Sequence, residues 1–340
     1  MNKLCIVGAF TNGVNTSDGQ SVKTRNLSAE LQKKMGTDNV ISIDTQAGKL
    51  KVMLQVIALY FRCDSIIMLP AQNGLKVFTP LLYFFNKVAK RNLMYSVIGG
   101  WLPSMLETAE GLKSKLMSFN LILVETNTMK TKLEALGFTN ITVMPNFKNL
   151  HVLEKSDLII SEAKPLKLIT FSRVMKKKGI EDAINVVRRI NNECSQAIYH
   201  LDIYGSVDPN ETEWFDEIKA SLPEYIKYRG VANPQDSVEI IKSYFALLFP
   251  TKFFTEGIPG TIIDAYAAGV PVVSAKWESF ADVVDDGVTG IGYEFENVDD
   301  LYNVLNEAKD TPEMLNNLKE NCLRKAYEFM PEYAMSKLKM

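Results

Sequence analysis

FPTKFFTEGIPGTIIDAYAAGVPVVSAK, from Phe249 to Lys276, reads as the end of one buried strand, a loop, a helix and a second buried strand. Ala246 to Phe249 and Val270 to Ser274 are short and almost wholly apolar, as strands of a parallel sheet covered on both faces are. Gly269 ends the helix between them. Pro259 fits the first helical position, where a missing N–H costs nothing, so the amides of Gly260, Thr261 and Ile262 are expected to face a ligand. Those amides and the helix dipole favour an anion, a phosphate above all, and Gly257 and Gly260 on either side of Ile258 and Pro259 let the backbone approach it closely. Glu256 in the loop and Asp264 in the first turns frame this place. A phosphate would repel both acids, which suit instead the hydroxyl groups flanking it, as on a ribose and a hexose. Both would also be at ease near any helix N-terminus, through the dipole alone.

The rest of the chain repeats the same alternation of apolar strand-like runs and amphipathic helices, the order of a parallel sheet, twice over. In the first half, Leu4 to Val7, Val40 to Ile43, Ser65 to Leu69, Leu93 to Ile98, Leu121 to Val124 and Ile141 to Met144 read as strands. The helix after the first of these carries Val22, Leu27 and Leu31 on one stripe. In the second half, Leu168 to Phe171, Leu201 to Tyr204 and a run ending at Tyr228-Arg229-Gly230-Val231 precede the quoted stretch. Ligands of open parallel sheets sit beyond the carboxyl ends of the strands, so Asn15, Asp18, Gly19 and Gln20, with Gly99, Gly100 and Trp101, are expected to line one crevice of the first half. Asp18 fits a helix N-cap equally well. Gly8-Ala9-Phe10-Thr11-Asn12-Gly13 is not G-x-G-x-x-G, which argues against a dinucleotide.

A chain of 340 residues with 46% hydrophobic and 23% charged residues suits two globular domains, each able to bury its own core. A formal net charge of -2 gives no basic excess for nucleic acid. Cys5, Cys63, Cys194 and Cys322 are far apart and form no C-x-x-C pair, so neither a disulfide framework nor a zinc site is expected, and a reducing cytosol suits them. The apolar run at Met1 to Phe10 is too short for a signal peptide and no run reaches the ~18 residues of a membrane span.

Glu256, seven residues, then Asp264, followed by AYAAGVPVV, resembles the E-x7-E signature of retaining glycosyltransferases of the GT4 type, which have the GT-B fold. Asp264 stands where that family usually has Glu, and Pro259 where Gly is commoner. Arg173-Val174-Met175-Lys176-Lys177-Lys178-Gly179 is similar to the family's R-L-x-x-x-K-G, in which the Arg and last Lys hold the donor diphosphate; the resemblance gives that role to Arg173 and Lys178. Alone, such a charge run is most often a solvated face. Guanidinium supplies a planar fork for phosphate oxygens and ammonium a movable point charge, which makes the assignment chemically sensible. Gly205 and Val231 match places where the family approaches its nucleotide. Asp285 to Gly290 matches a family turn, and Met144-Pro145-Asn146-Phe147 its hinge segment. The loops holding Gly19-Gln20 and Gly99-Gly100-Trp101 correspond to the acceptor side, where many members have Gly-Gly and a histidine; neither is present here.

The resemblance implies two Rossmann-like parallel-sheet domains facing a central cleft. Residues 1–147 would bind acceptor, 148–164 would link, 165–320 would bind the nucleotide-sugar donor, and a helix in 321–340 would pack back on the first domain. It implies sugar transfer, with retention, from a nucleoside-diphosphate sugar to a glycan or lipid-linked acceptor in bacterial surface polysaccharide biosynthesis, with Glu256, Arg173 and Lys178 as the catalytic groups. No metal or other cofactor is expected, because no Asp-x-Asp pair or His/Cys cluster occurs and fixed cations already serve the diphosphate. A nucleotide-sugar 2-epimerase and a non-enzymatic nucleotide-sugar sensor remain open, the first weakened by there being two histidines, the second favoured by the missing cleft histidine. His200 is expected as a core residue. Leu75 to Arg91 carries more apolar surface than one buried stripe needs, beside a basic end, and reads either as a helix deep between layers or as a peripheral contact on the inner face of the membrane of a cytoplasmic protein.

Overall fold

The computed structural model describes residues 3–10 and 19–338. Two compact units divide the chain, one formed by Met1–Asn149 with Met330–Met340, the other by Leu150–Phe329.

In the first unit, β1 (Leu4–Gly8), β2 (Val40–Asp44), β3 (Ser65–Met68), β4 (Asn92–Ser96), β5 (Leu121–Val124) and β6 (Ile141–Val143) form a parallel sheet in the order β2-β1-β3-β4-β5-β6. The inner strands are apolar on both faces because both faces are covered. On one side lie α1 (Gly19–Met35) and the last segment of the chain: Leu27, Leu31, Ala334 and Leu338 share a core with Leu4, Ile6 and Met144. On the other lie α2 (Lys49–Tyr60), α3 (Gln72–Val88), α4 (Leu102–Glu107), α5 (Glu110–Leu116) and α6 (Asn127–Ala135), which pack on Cys5, Val7, Ile66 and Tyr95. Deep burial of α3 does not occur. Leu75, Phe78 and Leu82 are buried, but Val77, Phe84 and Val88 on its opposite side are exposed.

The second unit repeats the plan with β7 (Leu166–Phe171), β8 (Tyr199–Tyr204), β9 (Ile226–Gly230), β10 (Ala246–Phe249), β11 (Val272–Ala275) and β12 (Gly290–Tyr293), in the order β12-β11-β10-β7-β8-β9 and again parallel. Its helices are α7 (Ile180–Glu193), α8 (Thr212–Ala220), α9 (Ser237–Ile241), α10 (Gly260–Ala267), α11 (Phe280–Val283), α12 (Val298–Ala308), α13 (Glu313–Asn316) and α14 (Lys319–Ala326); α15 (Pro331–Ser336) belongs to the first unit. The strand order reverses between β7 and β10. At such a switch point the loops leaving neighbouring strands diverge to opposite faces and open a crevice at the carboxyl edge.

Two boundaries and the placement of one residue differ from the reading of the sequence. Residues from Leu150 onward already belong to the second unit: Leu153 N–H donates to Ala267 O at 2.9 Å, and Ser161 and Asn316 exchange two hydrogen bonds. The segment joining the first unit begins at Met330, not 321, because α14 packs on α10 through Cys322, Leu323 and Ala326. His200 is exposed on the β8 face opposite Tyr199 and Leu201, since alternation along the strand turns it away from the core.

Candidate active site

In the second unit the expected donor residues follow the carboxyl ends of four neighbouring strands: Arg173 after β7, Gly205 after β8, Val231 after β9 and Glu256 in the loop after β10. Backbone bonds tie these loops together. Ser172 N–H donates to Tyr204 O at 3.1 Å, Val174 N–H to Ser206 O at 2.9 Å and Gly205 N–H to Gly230 O at 2.8 Å. Gly205, at φ 141°, lies so close to the chain after β7 that a Cβ there would stand 1.9 Å from Ser172 O. The loops after β7 and β10 are joined in turn by Lys252 N–H to Lys177 O at 2.8 Å, and Lys252 Nζ reaches Asp182 in the first turn of α7 at 2.9 Å.

The basic run resolves into distinct fates. Lys176 to Lys178 form one turn of 3-10 helix, ended by Gly179 in the left-handed conformation at φ 68°. Lys177 points to solvent, with its ammonium 5.4 Å from the Phe253 ring centre, and Lys176 lies over Trp214. Lys178 turns inward, its ammonium 5.3 Å from the centre of the Phe249 ring and 5.2 Å from that of Phe253. Those two faces hold the cation by cation–π attraction, and Glu256 Oε2 meets it at 2.7 Å. Thr251 Oγ1 donates to the same oxygen at 3.3 Å. Arg173 is exposed, with Nη1 3.6 Å from Asp208 Oδ2.

Pro259 is the N-cap of α10, with φ -69° and ψ 126°, and not its first helical residue; Gly260 is. Ile262 N–H donates to Pro259 O at 3.1 Å, so it does not face outward as the sequence reading has it. Gly260 and Thr261 remain as the leading amides. Gly257, Ile258 and Thr261 are buried, and Thr261 Oγ1 has no hydrogen-bond partner among the described residues. Asp264, one turn in, is 2% exposed and accepts from Ser237 Oγ at 3.0 Å. Ser237 opens α9, a helix with no motif to mark it. Val231 is exposed beyond the end of β9.

In the first unit, Asn15 and Asp18 lie outside the described residues. Gly19 opens α1, and Gln20 Nε2 donates to Leu69 O at 3.3 Å, just past β3. Gly99 takes φ 74°, Gly100 is buried, and Trp101 folds back to donate from Nε1 to Ile98 O at 2.7 Å. The sequence reading missed a buried pair at this edge. Lys23 Nζ lies 2.6 Å from Glu125 Oε1, directly after β5, and donates to Val97 O, just after β4, at 2.6 Å. The clue was local: a lysine one turn from Leu27 on the buried face of α1, and an acid closing an apolar strand. Among the described residues no three His, Cys, Asp or Glu side chains are grouped as a metal site requires.

Two six-stranded Rossmann-like sheets, each with its crevice edge, make the GT-B fold, and solved structures share it along nearly the whole chain. Sucrose-phosphate synthase from Thermosynechococcus elongatus superposes with a TM-score of 0.79 at 14% identity, covering 99% of this chain and 97% of that one. Anabaena HepE, solved with UDP and glucose, gives 0.74 at 16% identity, covering 97% and 96%. A curated relative, the amylovoran biosynthesis glycosyltransferase AmsK of Erwinia amylovora, is 25% identical over 144 residues, 40% of this chain and 35% of its own. Matched segments span between 27% and 35% of the curated relatives' own length. The family described as glycosyl transferases group 1 matches residues 154–325, just over half of the chain and almost all of the second unit. The chain belongs to the glycosyl transferases group 1 family.

Proposed function

We propose that the protein is a retaining glycosyltransferase of the GT4 type, in which the second unit binds a nucleoside-diphosphate sugar and the first a glycan or lipid-linked acceptor. One observation carries the reading. At the strand-order reversal of the second sheet, the half-buried Lys178–Glu256 pair joins the turn after β7 to the loop that feeds α10, whose leading amides, with a Thr261 hydroxyl buried and unpartnered among the described residues, are suited to phosphate oxygens. Arg173, Lys178 and the amides of Gly260 and Thr261 would stabilise the departing diphosphate, the charge that grows as the anomeric bond breaks. Asp264 would orient the ribose and Glu256 the transferred sugar. Gly205 and Val231, at neighbouring strand ends, would flank the nucleoside. Gly19, Gln20, Gly99, Gly100 and Trp101 would shape the acceptor side. The name of the Erwinia relative supports a polysaccharide product, and the UDP in the Anabaena structure supports a uridine donor.

No metal is required by this scheme, since fixed cations serve the diphosphate. Activity is then expected to survive EDTA, and loss restored by magnesium or manganese would refute metal independence. We further propose a cytoplasmic protein in peripheral contact with the inner face of the membrane, where a lipid-linked acceptor would be met.

The test is incubation with a panel of UDP-, GDP- and ADP-sugars, with and without lipid-linked and glycan acceptors. Release of the free diphosphate only when acceptor is present supports transfer. Isomerised donor without acceptor would make the protein an epimerase. Thermal stabilisation by the donor with no turnover under any pairing would make it a sensor.

A further inference from the structure

We infer that α2 and α3 together form a membrane-docking face for anionic lipid. The inference rests on the peripheral contact proposed above and adds where that contact lies and what it reads. Both helices cover the same side of the first sheet, and each carries a second apolar stripe on the side turned away from it. On α2 and just beyond, Leu50, Leu54, Ile57 and Phe61 follow one another at helical spacing; Leu50 is 73% exposed and Leu54 61%. On α3, Val77, Phe84 and Val88 stand outward at helical spacing, 48%, 63% and 75% exposed.

The two stripes belong to one rigid surface. Phe61 and Phe85 meet edge to face at 5.8 Å, Phe85 meets Phe84 at 5.8 Å, and Tyr60 donates from its hydroxyl to Asn86 Oδ1 at 2.8 Å. Arg91 fixes the same corner, donating from Nε to Tyr60 O at 3.2 Å. Folding alone gives no reason for leucine and phenylalanine to stand outward on adjacent helices, since scattered apolar residues are ordinary but paired stripes mark a contact.

Charge decides the occupant. Between Asp44 and Glu107 the chain has Lys49, Lys51, Arg62, Lys76, Lys87, Lys90 and Arg91 against the single acid Asp64, and neither helix contains an acid. An apolar face on two helices that carry cations and no acid of their own matches the headgroup boundary of an anionic bilayer, where apolar side chains enter and lysines stay with the phosphates. A protein partner matching this face would need an acidic surface with an apolar centre. Among the described residues no helix is long and apolar enough to cross a membrane, so the geometry is that of a helix pair lying in the interface.

The test is cosedimentation of the full chain with phosphatidylcholine vesicles, with and without phosphatidylglycerol, at low and high salt. Binding is expected only to the anionic vesicles and to weaken with salt. Leu54→Glu and Phe84→Glu, both at exposed positions and so leaving the melting temperature unchanged, are each expected to lower partition about tenfold. Loss with Phe84→Glu but not Leu54→Glu would overturn the part given to α2. Equal binding to neutral vesicles would overturn the charge argument. No vesicle binding, with a dimer in sedimentation equilibrium that either variant dissociates, would overturn lipid in favour of a second copy. No donor or acceptor is added, so failure here leaves the transferase reading untouched, and diphosphate binding tests that separately.

Discussion

Lys178 Nζ lies 2.7 Å from Glu256 Oε2, and the two side chains meet across loops that leave β7 and β10 on either side of the sheet's strand-order reversal. In the proposed reaction the lysine serves the diphosphate and the glutamate the sugar, yet here each neutralises the other. Half-buried, such a pair is costly to split, because the partner left behind keeps its charge with less water around it. An arriving diphosphate therefore competes with Glu256 for one ammonium. Phe249 and Phe253 hold that ammonium in place whichever anion wins.

Lys178→Ala and Arg173→Ala are both expected to weaken nucleoside-diphosphate binding, each by about tenfold to a hundredfold, the worth of one charge-assisted hydrogen bond. They should differ in stability. Arg173 is exposed and its loss should leave the melting temperature in place, whereas Lys178→Ala strands Glu256 and should lower it. Titration calorimetry with UDP and GDP, beside thermal melts, reads both effects. Unchanged affinity in both variants would refute the assignment.

The two acids should fail in different ways. Asp264 is buried against Ser237, so Asp264→Asn should weaken donor and free diphosphate alike, by about tenfold, and act on KM. Ser237→Ala should move the same quantity in the same direction by less. Glu256→Gln keeps an oxygen for Lys178 and removes the charge; it should spare diphosphate binding and depress kcat, since contacts near the breaking bond matter most in the transition state. Asp264→Glu, the commoner family residue, adds a methylene where Asp264 is already enclosed and is expected to cost stability. Product inhibition by the diphosphate, measured alongside kcat for all four, reads the split; the opposite pattern would exchange the two roles.

Gly179 takes φ 68°, and a Cβ there would stand 1.8 Å from Pro250 O. Gly179→Ala is expected to cost about 1–3 kcal/mol from the left-handed backbone alone. The collision adds to that by forcing apart the loops that carry Lys178 and Glu256. Melting temperature and diphosphate affinity should therefore fall together. A variant that melts lower but binds UDP as before would show that the spacing of the two loops is not what sets the site.

Most of the fold was legible because central strands of parallel sheets are continuous apolar runs: Leu121–Val124 and Ala246–Phe249 stand where the sequence puts them. The helix of the quoted stretch was legible too, but its first turn was misjudged by one residue. Proline suits both the N-cap and the first helical position, and only the backbone angles separate them. The site was legible as far as local spacing reaches. Glu256, Asp264, Arg173 and Lys178 lie within short motifs, whereas Ser237 is 27 positions from Asp264 and Lys23 is 102 from Glu125, so no periodicity relates them. Pairing across strand ends is a property of topology. The run of lysines shows the same limit: sequence gives three equal charges, and the fold turns Lys178 alone toward Phe249.

Lys319, at the start of α14, is 1% exposed, with its ammonium 3.1 Å from Tyr244 O, and burial lowers its pKa from 10.5 to about 8. Between those values the unfolded chain binds a proton that the native protein does not. Stability should therefore rise with pH across that window, and below it the protein carries the full cost of a buried charge, at most about 3 kcal/mol. The buried thiol of Cys322 and hydroxyl of Tyr266 act oppositely. Burial raises both, so they lose protons in the unfolded chain first and stability falls as pH climbs through their ordinary range. The lysine's part is isolated by difference: Lys319→Met keeps the stem and removes the charge. The variant should be more stable than the parent at neutral pH, and its advantage should shrink from about pH 8 upward. Urea denaturation of both proteins between about pH 7 and about pH 9.5 measures it. A constant difference across that range would mean that Lys319 keeps its ordinary pKa and that Tyr244 O is enough to hold its charge. A variant less stable throughout would mean that the bond to Tyr244 O outweighs the burial of the charge.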